Sequence, residues 1–428
     1  MADKSSVSRP NILFVFTDQQ RWDTAGCYGN PMDLTPNLDA IAQRGVLFEN
    51  AFSCQPVCAP ARGCLQTGKY ATQHTVWRNG LVLPEHEETL AHDFKGQGYR
   101  TGYIGKWHLA NTRTEPVPVN MRGGYEHWEA SDVLEFTSHP YDTKVFDVNN
   151  QPIKVPGYRV NAITELVIRF LRQQENEPFF LFLSYIEPHH QNDMKRYVAP
   201  DGYAEKYADY YVPPDLEGHE GDWKENLPDY YGIVARIDEC LGQILGELDR
   251  LGMTERTIVF FTSDHGSHFR TRNREYKRSC HESSIRVPMA AQGPGFSGGK
   301  VVSELISLMN VPPTLLDAAG IPVPERMQER SAMPLVKGED VDWDKEVFIQ
   351  ISESQVGRAI RTDRWKYCVD APDKNGGRDP ASDVYVEQYQ YDLKNDPYER
   401  NNLVGQQEYR EVADELRETL IRRTVAAG

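Results

Sequence analysis

The chain has 428 residues, 39% hydrophobic and 26% charged, the balance of a soluble globular enzyme with one large core and a smaller appendage. A net charge of −16 disfavours nonspecific association with nucleic acid or an anionic membrane surface, and no apolar run is long enough to span a bilayer. The seven cysteines are odd in number and lack the spacing of a zinc site or a dense disulfide framework.

The N-terminal residues MADKSSVSRPN hold no hydrophobic leader. As written, the chain reads as cytoplasmic; a leader preceding it would make it periplasmic or secreted. Ile12 to Phe16 is a continuous apolar run that reads as a strand buried on both faces, ending in Thr17-Asp18-Gln19. Pro36 to Gln43 reads as a helix closed by Gly45, and Thr89 to Lys95 as another closed by Gly96. Between them, Cys58-Ala-Pro-Ala-Arg62 precedes Leu65-Gln-Thr-Gly68. Pro60 suits a first helical turn and Gly68 a left-handed helix end, so Cys58 is expected at a helix N-terminus, a position that suits an anion. Arg62 follows one turn later on the same face. A lone cysteine there also fits a buried small hydrophobe.

Tyr99 to Ile104 is a second strand, ending in Gly105-Lys106-Trp107-His108, and Val160 to Gln174 an amphipathic helix. Phe179 to Tyr185 is a third strand, ending in Glu187-Pro188-His189-His190. Tyr230 to Leu251 is a long helix closed by Gly252, and Thr257 to Phe261 a fourth strand, ending in Thr262-Ser263-Asp264-His265. Strands alternating with helices predict an α/β fold with a mostly parallel central sheet, in which ligands bind beyond the carboxyl ends of the strands. Four strands that each deliver Asp, Lys or His just past that end predict one convergent site. Two long irregular stretches, Asn111 to Gly157 and His190 to Asn226, read as pocket walls or as surface decoration.

After Asp344 the texture changes to short strands at Glu346 to Ile351, Arg358 to Arg361, Trp365 to Val369 and Gln388 to Leu393, then a charged helix near Glu408 to Arg423. The expected division is a catalytic domain over residues 1–344 and a subdomain over 345–428, an antiparallel sheet with a helix. Asp18, Asp264 and His265 are candidate metal ligands, each Asp with the alternative of a helix cap. Arg270, Arg272, Arg274, Lys277 and Arg278 form a basic cluster in an acidic protein, either a solvated loop or the mouth of a pocket for an anionic substrate.

The C-x-P-x-R pattern at Cys58, followed by L-x-T-G, resembles the signature of the type I, formylglycine-dependent sulfatases of the alkaline phosphatase superfamily. The resemblance runs through most of the chain and includes RTDRWKY and YDLKNDPYERNNL near the end. It implies that Cys58 is oxidised to formylglycine by a maturation enzyme. It also implies that Asp18, Gln19, Asp264 and His265 hold one divalent ion with that residue: calcium, with magnesium or manganese as alternatives. Many sulfatases have Asp where Gln19 stands and Asn where His265 stands. In the family's mechanism the hydrated aldehyde attacks sulfur and then expels sulfate by re-forming the aldehyde. The resemblance gives Arg62, Lys106 and Lys277 the sulfate oxygens, His108 the diol proton and His189 the leaving alcohol. It places His281 where an aromatic residue commonly stands, as a substrate contact. His190 and His268 read as structural.

The expected activity is hydrolysis of a sulfate ester on an anionic carbohydrate, with Arg270, Arg272 and Arg274 free to meet a second anionic group. The rivals are a formylglycine-dependent phosphonate monoester or phosphodiester hydrolase, and a noncatalytic binding protein on the same fold. A nucleic-acid or membrane partner is not expected, and the sequence assigns no oligomeric state.

Overall fold

β1 (Asn11–Thr17) lies near the middle of a ten-stranded sheet and is buried along its whole length. Its alternation divides the interior in two: Ile12, Phe14 and Phe16 face one core, Leu13 and Val15 the other. The helices Cys58–Thr67, Leu90–Gly96 and Val311–Ala318 cover the first face, and Pro36–Arg44, Arg159–Arg172 and Trp223–Arg250 cover the second. The computed structural model describes residues 9–174 and 177–428; most of the N-terminal stretch MADKSSVSRPN lies outside them.

The remaining strands of this sheet are β2 (Val46–Phe52), β3 (Arg100–Lys106), β4 (His127–Ser131), β5 (Asp142–Phe146), β6 (Pro152–Pro156), β7 (Phe179–Ser184), β8 (Thr257–Ser263), β9 (Met289–Gln292) and β10 (Lys300–Ser307). Their order is β10-β2-β9-β8-β1-β7-β3-β4-β5-β6. The block β8-β1-β7-β3-β4 is parallel throughout, as the apolar runs predicted. β9 and β5 run antiparallel to their neighbours on either side of it.

The stretch from Asn111 to Gly157 is less irregular than its sequence suggests, because it contains β4, β5, β6 and a short helix, Leu134–Thr137. β6 is an exposed edge strand with proline at each end, which gives almost no apolar signal. β2 was also silent, since Glu49 and Asn50 interrupt its apolar pattern beside a shift in the β10 register. The long helix begins at Trp223 rather than Tyr230 and carries Pro228 inside it. Proline cannot donate to the Lys224 carbonyl, which accepts the Tyr210 hydroxyl at 3.2 Å instead.

β11 (Glu346–Ile351), β12 (Gly357–Thr362), β13 (Trp365–Asp370) and β14 (Val386–Asp392) form an antiparallel meander in that order, with the helix Arg410–Ala427 packed against it. Both faces of the meander join the rest of the molecule. Phe348 and Ile360 belong to the core that includes Phe14 and Phe16, while Val347 and Ile349 pack with Phe52, Cys280 and Ile285. Among the described residues no helix is long and apolar enough to cross a membrane.

The helix Pro36–Arg44 has no side-chain cap of its own. Asp238 of the neighbouring long helix supplies one, accepting the Asn37 amide at 2.9 Å and the Leu38 amide at 2.8 Å. Burial pushes the Asp238 carboxyl up to about 6, against the pull of those amides. A folded pKa above the unfolded value contributes stability that is present below about pH 4 and lost as pH rises through the folded pKa. The stability of wild type relative to Asp238→Asn should therefore increase by on the order of 2 kcal/mol on going from about pH 7 to about pH 4. Urea unfolding at both pH values reads the difference. A wild type that loses ground to the variant on acidification contradicts this assignment.

Candidate active site

Strand register assembles the site. Thr17 of β1 pairs with Ser263 of β8, so the next residues, Asp18 and Asp264, leave the sheet side by side. Ser184 of β7 pairs with Phe16 on one side and with Gly105 on the other, which brings Lys106 to the same edge. Gly105 has φ of +113°, and a Cβ there would lie 1.9 Å from the Ser184 carbonyl oxygen, so only glycine lets β3 end in this way.

Cys58 is the first residue of the buried helix Cys58–Thr67, which ends at Gly68 with φ of 70°. Its sulfur lies 3.3 Å from Asp18 Oδ1, 3.5 Å from His265 Nε2 and 2.8 Å from Lys277 Nζ. Burial resists ionisation of the thiol, but Lys106 and Lys277 outweigh it and hold the group well below the ordinary cysteine range. The buried small hydrophobe that the sequence also allowed is therefore not what the structure presents.

Asp18, Cys58, Asp264 and His265 each offer a donor atom within 4.8 Å of the others, and all four are buried. Asp18 Oδ2 is taken by Lys106 Nζ at 2.8 Å and Arg62 Nη2 at 3.0 Å, which leaves Oδ1 toward the cysteine. Asp264 Oδ1 accepts the Gln19 amide at 2.9 Å, whereas Asp264 Oδ2 is buried without a hydrogen-bond partner. The His265 Nδ1–H donates to the Gly266 carbonyl at 2.9 Å, which turns the Nε2 lone pair toward Cys58 and Asp18. Gln19, in the left-handed region with φ of 70°, donates Nε2 to Tyr197 and Ser267, leaving its carbonyl oxygen as the available ligand. Burial and the Asp18 carboxylate together push Asp264 up to about 7. Two buried carboxylates and an orphaned oxygen fit a divalent cation, with oxygen donors suited to a hard ion.

Arg62 donates Nη1 to the Lys106 carbonyl at 2.8 Å and to Ser184 Oγ at 2.6 Å. Lys106 Nζ also lies 3.3 Å from Glu135 Oε1. His189 donates Nδ1–H to the His190 carbonyl at 2.6 Å, so its Nε2 faces Lys277 Nζ at 3.2 Å. Burial and then Lys277 depress the His189 pKa. His108 has φ of 61°, its amide bonds the Asp132 carbonyl at 2.7 Å, and its Nδ1 is buried without a partner. Cys58, His108, His189 and Lys277 line one cavity of about 100 Å³. A larger hollow of about 480 Å³ beside the C-terminal helix, lined by Tyr367, Tyr385 and Leu420 among others, shares none of these residues.

The basic cluster is placed differently from expectation. Arg272 donates to the carbonyls of Tyr398 and Glu399 at 2.7 and 2.9 Å, so it ties the loop to the C-terminal subdomain rather than facing substrate. Arg278 lines the cavity but is paired with Glu353 and Glu275. Arg270 stacks on Tyr276 and Arg274 is exposed; neither lines the cavity. His281 is also displaced from its expected role: it is buried between Ser279 Oγ at 3.2 Å and the Tyr391 hydroxyl at 3.1 Å. The structure adds lining residues that the sequence did not mark, among them Asn79, Glu135 and Asn192, and moves His190 into the wall, stacked on Tyr276. His268 holds the Lys277 carbonyl at 3.1 Å.

A family model described as sulfatase matches residues 10–321, and one for the C-terminal part of N-sulphoglucosamine sulphohydrolase matches residues 274–426. An ulvan-active sulfatase of Formosa agariphila is 33% identical over 445 residues, covering 98% of this chain and 82% of its own. A protein solved in complex with its substrate, D-glucosamine-2-N,6-O-disulfate, superposes with a TM-score of 0.85 at 23% identity over 98% of both chains. The phosphonate monoester hydrolase of Agrobacterium radiobacter superposes with a TM-score of 0.77 at 23% identity, over 98% of this chain and 96% of its own. At such identities the two structures speak to the fold alone. The sulfatase model over residues 10–321 and the relative at 33% identity settle the family: this chain belongs to the type I sulfatases of the alkaline phosphatase superfamily and is a sulfuric ester hydrolase.

Proposed function

We propose that the chain hydrolyses a sulfate ester on a saccharide, using formylglycine made from Cys58 by a maturation enzyme. The observation that carries this reading is the position of the Cys58 sulfur, between Asp18 Oδ1 at 3.3 Å and Lys277 Nζ at 2.8 Å at the head of a buried helix. Asp18, Gln19, Asp264 and His265 would hold the divalent ion, with calcium suited to the oxygen donors. When bound, that ion would supply positive charge beside residue 58 and would lower the pKa of a hydroxyl there.

The protein's own groups carry the rest. A hydrated aldehyde at position 58 offers one hydroxyl for attack on sulfur and a second whose proton His108 takes as sulfate leaves. Arg62, Lys106 and Lys277 present fixed positive charge to the nonbridging oxygens, where charge shifts in the transition state. His189 Nε2 protonates the leaving alcohol. Burial and Lys277 depress the pKa of free His189; the charge of a bound sulfate ester offsets the Lys277 contribution and favours protonation once substrate is in place. The saccharide assignment draws on the ulvan-active relative. For an anionic saccharide, the exposed basic side chains of the loop are Arg274 and Arg270, the latter 3.5 Å from Asp222.

The second reading, a phosphonate monoester or phosphodiester hydrolase, is kept by the pairs Asp18-Gln19 and Asp264-His265, which depart from the commoner sulfatase pattern. Mature enzyme assayed on sulfated saccharides beside phosphodiesters and phosphonates separates the two. A sulfated saccharide is expected to have the higher kcat/KM; a phosphonate or phosphodiester that outpaces every sulfate ester overturns the saccharide sulfatase reading.

His189→Ala should lower turnover by roughly a hundredfold or more on an alkyl sulfate, whose leaving group needs a proton, and by much less on 4-nitrophenyl sulfate. Equal losses on both substrates remove His189 from the acid role.

A further inference from the structure

Glu135 is a carboxylate inside a site built for an anion, and none of the roles above uses it. It comes from the short helix Leu134–Thr137, in the stretch that separates β4 from β5. Its side chain is 5% exposed and lines the same cavity as Cys58, His108 and His189. Oε1 meets Lys106 Nζ at 3.3 Å, but Oε2 is buried and accepts no hydrogen bond. A buried carboxylate oxygen without a donor costs free energy that a bound ligand can recover. Burial opposes its ionisation, yet Lys106, His189 and His108 hold the carboxyl below the ordinary glutamate range, so the group presents charge to the cavity.

A role limited to neutralising Lys106 would use Oε1 alone, and Lys106 already has Asp18 at 2.8 Å. The free Oε2 therefore asks for a donor from substrate. The sulfate ester has none on its nonbridging oxygens, whereas a sugar ring has hydroxyls beside the sulfated carbon. A second sulfate or a carboxylate at that position would face a buried like charge instead. We propose that Glu135 is a specificity-determining residue, whose Oε2 accepts a hydrogen bond from a saccharide hydroxyl next to the sulfated carbon and whose charge excludes a second anionic group there. This inference rests on the sulfated-saccharide reading. Anionic groups farther along the chain would lie outside the cavity and escape this exclusion.

The test compares kcat/KM for wild type, Glu135→Gln and Glu135→Ala on three probes. They are 4-nitrophenyl sulfate, the monosulfated saccharide that wild type turns over fastest, and that saccharide carrying a second sulfate on the adjoining ring position. Any effect through Lys106 acts on all three, so the ratios carry the result. Glu135→Ala should lower the ratio of saccharide to aryl sulfate by about 10- to 100-fold, the worth of a hydrogen bond to a charged group. Glu135→Gln, which keeps an acceptor oxygen and the side-chain shape, should lower it less. The same Gln variant should raise the ratio of disulfated to monosulfated saccharide by about tenfold or more. Ratios unchanged in both variants overturn the proposal and leave Glu135 as a partner of Lys106 only. A wild type that cleaves 4-nitrophenyl sulfate but no saccharide overturns the saccharide reading itself, and this inference with it.

Discussion

Two carboxylates emerging side by side from adjacent parallel strands set the terms for everything else in this protein. Asp18 and Asp264 follow the register pair Thr17 and Ser263, and both are fully buried. Lys106, His189 and Lys277 overcome burial and the Cys58 sulfur to keep Asp18 ionised, and burial together with the resulting charge pushes Asp264 up to about 7. Like charges this close in a low-dielectric interior are relieved either by a proton on one carboxyl or by a cation between the two. The orphaned Asp264 Oδ2 is free to accept either. The strand pairing that makes the fold is thus also what builds the cluster that can hold a divalent ion.

The same geometry positions residue 58. Asp18 divides its two oxygens between the cations Arg62 and Lys106 and the Cys58 side. Lys277 reaches the cysteine from the opposite wall, with its backbone held by His268. The C-terminal subdomain contributes at one remove. Lys366 of β13 bonds Glu282 at 2.7 Å, and Glu282 accepts from Arg361 at 3.3 and 3.4 Å. Together with the Arg272 tether to Tyr398 and Glu399, this buried ion network fastens the loop that carries Lys277. A buried network of this kind lends rigidity only while every member is paired, because a stranded charge in the interior is costly.

The parallel block and its strand ends were legible in the sequence because buried parallel strands read as uninterrupted apolar runs, and the residues just past them stand out by contrast. The Cys58 helix was legible from Pro60, Gly68 and the C-x-P-x-R pattern. What was not legible lay wherever a partner distant in sequence decides a side chain's fate. Arg272 and His281 looked free for substrate, but the carbonyls of Tyr398 and Glu399 and the Tyr391 hydroxyl claim them. Glu135 has no motif, and its significance appears only when Lys106 and the cavity are beside it. β4, β5 and β6 give no clear signal in the sequence because partly exposed strands of five residues each carry too little periodicity.

Mass spectrometry of the peptide containing Cys58, from a preparation with measured sulfate ester hydrolysis, tests the account most directly. The account predicts that the aldehyde mass is present at position 58 and that specific activity rises in proportion to its fraction. Full activity in a preparation whose Cys58 is entirely unmodified would contradict it.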